Sequence, residues 1–280
     1  MPTTSDNQHV SVFAAEVERL FDPRRPETFW DCKPAFSALV QTGFVAELFN
    51  DELRAQIADP THLPDCRFNQ LTLRNGNGYS LSVTLLERPR RYIHTLPAYA
   101  MYAPIGGDEL RYEQYRLPAN YRNEIFDPSL RIERDGAATV VPGDVLCLRS
   151  DRYVYDFLID QPLLVVKFTS GVLQTLEWLF NKDSLHAWQA NDSELSATQM
   201  RVAAYVMGRL AHQYSLEPLS MLTGHPHHAV RWAAIQNLGR LSRTAAMAKL
   251  ELAKDDPHPH VRNAAARTLQ QIRQKSPSSS

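Results

Sequence analysis

The sequence predicts a two-domain α+β protein: a β-sandwich of the jelly-roll kind with helices before it, then a short all-α solenoid. Three observations carry this. Short β-branched and aromatic runs, punctuated by Gly, Pro and Asp, fill the stretch from Phe68 to Phe168. Helical spacing occupies the first 60 residues and everything after Ser193. In the last third, Pro226-His227-His228-Ala229-Val230-Arg231-Trp232-Ala233-Ala234 returns as Pro257-His258-Pro259-His260-Val261-Arg262-Asn263-Ala264-Ala265, an offset of 31 that also relates Leu238 to Leu269. A fixed period of this size marks stacked helix pairs.

The apolar share of the 280 residues is 44%, which excludes a largely disordered chain. No apolar run approaches the roughly 20 residues that cross a bilayer. The first residues show neither a basic start nor an apolar core, so no secretory signal is expected. Cys32, Cys66 and Cys147 lie far apart, with no metal-ligand spacing. A disulfide framework is not expected, Cys147 reads as a small core residue, and the expected location is cytoplasmic. From Ser196 onward there are 11 Lys and Arg against 4 Asp and Glu, whereas the preceding residues hold 19 against 27. Opposite signs agree with two modules that attract each other, and leave nucleic-acid binding by the basic part as a weaker reading.

In order, Met1 to Gln8 is polar. Val10, Phe13, Ala14, Val17 and Leu20 space a helix that Pro23 and Pro26 end. Lys33 to Gln41 and Val45 to Ile57 give two more, separated by Gly43. Strands are expected at Phe68 to Arg74 and Tyr79 to Glu87, joined by the hairpin turn Asn75-Gly76-Asn77-Gly78. Tyr92 to Ile105 is apolar and broken by prolines, and Leu110 to Leu117 alternates, with Tyr112 inward and Glu113 outward. Residues 118 to 139 read as irregular, with a strand at Ser129 to Glu133 and a turn at Asp135-Gly136. After the turn Pro142-Gly143-Asp144 come strands at Val145 to Leu148, Tyr153 to Tyr155 and Leu163 to Phe168. Gly171 to Asn181 carries Val172, Leu176, Leu179 and Phe180 at helical spacing. The expected domains are 1–190, 191–275 and a disordered tail at 276–280.

The sandwich resembles a cupin, and more narrowly the cysteine dioxygenase-like thiol dioxygenases. The resemblance rests on the helical preface, on Ile93-His94 where those enzymes carry His-x-His, on Gly107 with the strand after it, and on Pro142-Gly143-Asp144. It implies ferrous iron, or another transition metal, held by three imidazoles. Between residues 63 and 185, however, His94 is the only histidine. Its partner position would be Tyr92 or Leu96, and the third ligand would fall at Tyr153 to Tyr155. The catalytic candidates are therefore His94, Glu113 and Tyr155, with His94 the one metal candidate. Tyr92, His94, Tyr102, Glu113, Tyr153 and Tyr155 are the candidate pocket. Against this, a lone histidine is commonly a hydrogen-bonded core residue, and tyrosines serve equally well as core aromatics. No cofactor is required by the residues present.

The last third resembles the HEAT-like (PBS-lyase type) repeats, through Val230, Arg231, Ala233 and Ala234 and through Val261, Arg262, Ala264 and Ala265. The resemblance implies structural arginines and a surface for a protein partner. His227, His228, His258 and His260 sit in the turns before the two matching helices, which stacking would place on one edge. Imidazoles there can take a metal or an anion. An exposed turn also tolerates any polar residue, and no recurring carboxylate or cysteine argues for a ligand set, so the four are taken as a partner-facing edge. The function expected is a binding or adaptor protein. A divergent metal-dependent cupin oxygenase, with thiols among its candidate substrates, is the alternative. A small molecule in the sandwich and a homodimer are further expectations, with no membrane attachment.

Overall fold

The computed structural model describes residues 7–61, 66–67 and 69–275. The polar start up to Asp6, Phe68 of the first expected strand and the tail from Ser276 lie outside these residues. The chain divides into two compact units between Ser193 and Glu194.

The first unit opens with α1 (Gln8–Leu20), α2 (Lys33–Gln41) and α3 (Phe44–Ala58), with a 3-10 segment at Pro26–Cys32. Asn7 caps α1, its side chain accepting from the N–H groups of His9 and Val10 at 3.0 and 3.2 Å. Gly43, at φ 71°, makes the left-handed turn into α3. The strands follow: β1 (Cys66–Arg67), β2 (Gln70–Gly76), β3 (Tyr79–Leu86), β4 (Tyr92–His94), β5 (Ala100–Ile105), β6 (Leu110–Arg116), β7 (Glu133–Val140), β8 (Leu146–Leu148), β9 (Tyr153–Leu158), β10 (Leu163–Ser170), β11 (Leu176–Asn181) and β12 (Ala187–Asp192). They form two six-stranded sheets, ordered β1-β2-β3-β10-β5-β8 and β12-β11-β4-β9-β6-β7. Every pairing of these strands is antiparallel. Within these orders, β3-β10-β5-β8 faces β4-β9-β6-β7, which is the strand sequence of a jelly roll. The fold class is as expected.

Three apolar layers hold this unit. The outer face of the first sheet packs under the helices, where Phe168 meets Phe29 at 4.6 Å and Phe13 at 5.1 Å between ring centres. Between the sheets lie Tyr102, Leu110, Val140, Leu148, Tyr155 and Val165. The outer face of the second sheet, with Trp178 and Phe180, is covered by the segment between β6 and β7 through Tyr121, Phe126, Leu130 and Ile132. Asn123 fastens that segment. Its Nδ2 donates to the Leu176 carbonyl at 2.5 Å, its Oδ1 accepts from Leu176 N–H at 2.9 Å, and its own carbonyl accepts from Trp178 Nε1 at 2.9 Å.

Two expectations are corrected. The helix expected over Gly171 to Asn181 is strand β11. Leu176, Trp178 and Phe180 also alternate at period two, and burying all three against Tyr121 and Phe126 overrides the helical spacing. The strand expected at Ser129 to Glu133 is a single bridge, Arg131 to His186, while β7 begins at Glu133. Seven of the eight β7 residues are exposed, so no apolar alternation announces it.

The second unit consists of α4 (Leu195–Leu210), α5 (Leu216–Leu222), α6 (His228–Leu241), α7 (Arg243–Ala253) and α8 (Pro259–Lys275). Small residues let α4 and α6 meet closely: a Cβ on Gly208 would lie 2.6 Å from the Asn237 Cβ. Ala204, Leu219, Leu238 and Ala246 fill one seam, and Ile235, Leu250, Val261, Ala265 and Leu269 fill the next. Among the described residues no helix is long and apolar enough to cross a membrane.

Candidate functional site

In the jelly roll, strand register fixes which candidate residues share a face. His94 pairs with Tyr155, and Tyr155 with Gln114, so these three form one row. Glu113 pairs with Asp156 in the adjacent row, on the opposite face of the sheet. The structure does not bring Glu113 to His94. Glu113 instead accepts from the Tyr115 hydroxyl and pairs with Arg134. His94 Nδ1 lies 3.1 Å from Glu177 Oε1 on β11, a partner hidden from sequence by the helical reading of that stretch. Glu113 is half-buried, not turned fully outward.

Tyr155 is buried, its hydroxyl accepting from Arg149 N–H at 3.2 Å. Burial first, and the nearby Tyr112, Tyr153 and Asp151, push its pKa up to about 12 despite that hydrogen bond. It is a neutral phenol at neutral pH, not a tyrosinate. Tyr102, on the facing sheet, stacks on Phe157 at 5.5 Å and lies under the Lys167 ammonium at 5.8 Å. Tyr153 packs against Tyr155, whereas Tyr92 turns to Trp188 and Arg91. Tyr102, Tyr153 and Tyr155 thus meet in the inter-sheet core, and Glu113 does not join them. One imidazole beside phenols is a poor donor set for ferrous iron. A cavity of about 520 Å³ lies elsewhere, lined by Gly107 to Glu109, Arg111 and Leu158 to Gln161, with none of the six candidate pocket residues. Cys32 is buried and its thiol is pushed up to about 11, by burial first and then by Asp31 and Glu16. Burial likewise raises the Cys147 thiol. Neither is an activated nucleophile.

In the second unit the 31-residue repeat becomes a repeat of contacts. Arg231 Nη1 donates to the carbonyls of His225 and Pro226 at 2.9 and 2.7 Å. Arg262 Nη1 donates to those of Asp256 and Pro257 at 2.7 and 2.8 Å. Each arginine closes its own preceding turn. Arg231 also reaches forward, with Nε and Nη2 donating to the Asp256 carboxylate at 2.8 and 2.6 Å. That pair is largely buried, the side chains 11% and 9% exposed. Asp256 Oδ1 accepts the His258 N–H at 2.8 Å, so the second turn is pinned to α6. The turns then stack their imidazoles. His228 lies 3.6 Å from His258 between ring centres at an interplanar angle of 5°, and His258 lies 5.0 Å from His260. His227 stands beside His228 at 5.0 Å. Asp256 carries no repeat signal in the sequence, because its acid is not repeated at the equivalent His225.

Residues 192–270 match the HEAT repeat family. The last third is therefore a HEAT repeat array, as its period and its arginines foretell. A search of curated proteins found no match. Among solved structures the chain is similar to a hydroquinone 1,2-dioxygenase crystallised with Cd²⁺ and 4-hydroxybenzonitrile, at 16% identity and TM-score 0.30 over 39% of this chain and 66% of that one. It is also similar to the DMSP lyase DddQ of Ruegeria pomeroyi DSS-3, at 16% identity and TM-score 0.26 over 40% of this chain and 50% of the other. A cupin superfamily protein of Desulfitobacterium hafniense DCB-2 gives 12% identity and TM-score 0.25, over 41% of this chain and 88% of that one. The chain spans less than two thirds of the first and half of the second. These likenesses are too distant to carry an activity, and the jelly-roll reading rests on the strand order.

Proposed function

We propose that this chain is a binding protein, with HEAT repeats that dock a protein partner and a jelly roll that does no metal chemistry. One observation carries the reading. Helix α4 packs Ala197, Ala204 and Gly208 inward, yet leaves Leu195, Val202, Val206 and Leu210 exposed along the opposite side, with Tyr205 beside them. A contiguous apolar stripe on a solvated helix costs solubility unless a partner covers it. The donor set around His94 supports the second half of the reading, because among the described residues no group of three His, Cys, Asp or Glu side chains placed to hold a metal includes His94.

The test compares the full chain with Val202→Glu/Val206→Glu. Partners captured by the wild type are identified, purified and titrated against both proteins. The expected result is a loss of affinity of about tenfold or more in the variant, with unchanged helical circular dichroism. Equal affinity overturns the docking surface. A dimer that the variant abolishes in light scattering assigns the stripe to self-association instead. Stoichiometric metal lost in His94→Ala, together with thiol oxidation, overturns the non-enzymatic reading.

A further inference from the structure

We propose that His228, His258 and His260 form a binding site for a late divalent first-row metal ion, zinc foremost. Each offers a ring nitrogen, and the three nitrogens lie within 4.8 Å of one another. Among the described residues this is the only group of three or more His, Cys, Asp or Glu side chains so placed. It is distinct from the α4 stripe and from the jelly-roll interior.

The fold builds this cluster; it does not arise from one flexible turn. His228 is the first residue of α6, His258 precedes α8 and His260 lies in the first turn of α8. The two turns come together because the repeats stack, and the Arg231–Asp256 pair clamps them. Asp256 in turn holds the backbone of His258. The imidazole of His258 is buried and that of His260 half-buried, so the ligands are partly shielded from water.

His258 shows an acceptor nitrogen. His258 Nδ1 accepts the His260 N–H at 3.2 Å, so that nitrogen carries no proton. His228 and His258 stack face to face at 3.6 Å, a separation that two imidazolium rings would oppose. The face-to-face stack of His228 and His258 disfavours the protonated rings that an anion would need, so the cluster suits a metal. Imidazole suits zinc, copper and nickel, whereas magnesium and calcium take oxygen. Zn–N bonds of about 2.0–2.1 Å set the nitrogens of a tetrahedral site about 3.3 Å apart. Reaching that spacing from nitrogens within 4.8 Å requires the stacked rings to tilt, and the His258 Nδ1 contact to be exchanged if that nitrogen is the ligand. Three ligands leave a fourth position open for water or for a group from a partner.

The experiment uses the full chain without a histidine tag. ZnCl₂ is titrated against the protein in competition with a chromophoric chelator, and CoCl₂ binding is followed by visible absorption. The expected result is one zinc per chain and tetrahedral cobalt bands. His260→Ala, whose ring is the least buried of the three, weakens binding by more than the roughly 10–100-fold that loss of an outer partner costs. Asp256→Asn weakens it less, through the turn alone. The controls His9→Ala and His212→Ala leave it unchanged. Circular dichroism of each metal-free variant separates loss of ligand from loss of fold. The absence of stoichiometric zinc, equal affinity in His260→Ala, or one zinc shared between two chains overturns the site.

Discussion

Replacing Asp256 by Asn keeps the side chain's size and removes its charge. Arg231 is then a largely buried guanidinium whose remaining partners are the carbonyls of His225 and Pro226. Breaking a buried pair on one side costs about 3–5 kcal/mol, and the two retained carbonyl contacts place this case near 3 kcal/mol. For a unit of this size such a loss lowers the melting temperature by on the order of 12–24 °C. The effect depends on pH in a defined sense. Burial raises the Asp256 pKa, but the hydrogen bonds from Arg231 and the His258 N–H, with the Arg231 charge, outweigh it, so the net shift is downward. A depressed carboxyl contributes stability above its unfolded value of about 3.9 and loses it as pH falls through the folded value. The advantage of wild type over Asp256→Asn should therefore be full at pH 7 and close as the solution is acidified below about pH 4. Amide exchange across α6 to α8 reads this unit by itself. Equal protection of the two proteins at pH 7, or a difference below about 0.5 kcal/mol, refutes the account.

Two shorter predictions follow from close packing and burial. Gly208→Ala gains about 1 kcal/mol of helix propensity but drives a Cβ to 2.6 Å from that of Asn237, in a seam where overpacking costs about 1–3 kcal/mol. It should lower the melting temperature of the repeats, and a rise would contradict the close approach of α4 and α6. Cys32, buried and with its thiol at about 11, should resist alkylation at pH 8 in the folded protein and react on denaturation. Rapid labelling of native Cys32, followed by peptide mapping, would contradict its burial.

The sequence made the repeat legible because identical side chains recur at a constant offset, and a constant offset maps onto one contact made twice. Arg231 and Arg262 closing their own turns are that contact. The jelly roll was legible through its turns and apolar strands. Its end was not, because Leu176 and Phe180 satisfy both periods, and only the partner surface of Tyr121 and Phe126 chooses between them. That one ambiguity also hid the Glu177 partner of His94. Glu113 and His94 seemed able to meet because alternation places residues on a face only after register is known. Register comes from β4, β6 and β9 pairing across long loops, which short-range pattern does not contain.

The cover over Trp178 has a kinetic consequence. One face of the second sheet is closed by irregular chain fastened at Asn123, where the first sheet has three helices. Irregular chain opens in smaller cooperative steps than packed helices do. Breathing of the domain thus starts on the Asn123 side and exposes a buried indole before the helical side loosens. A protease acting on the native protein is expected to enter there first, at a rate that Asn123's hydrogen bonds to β11 restrain.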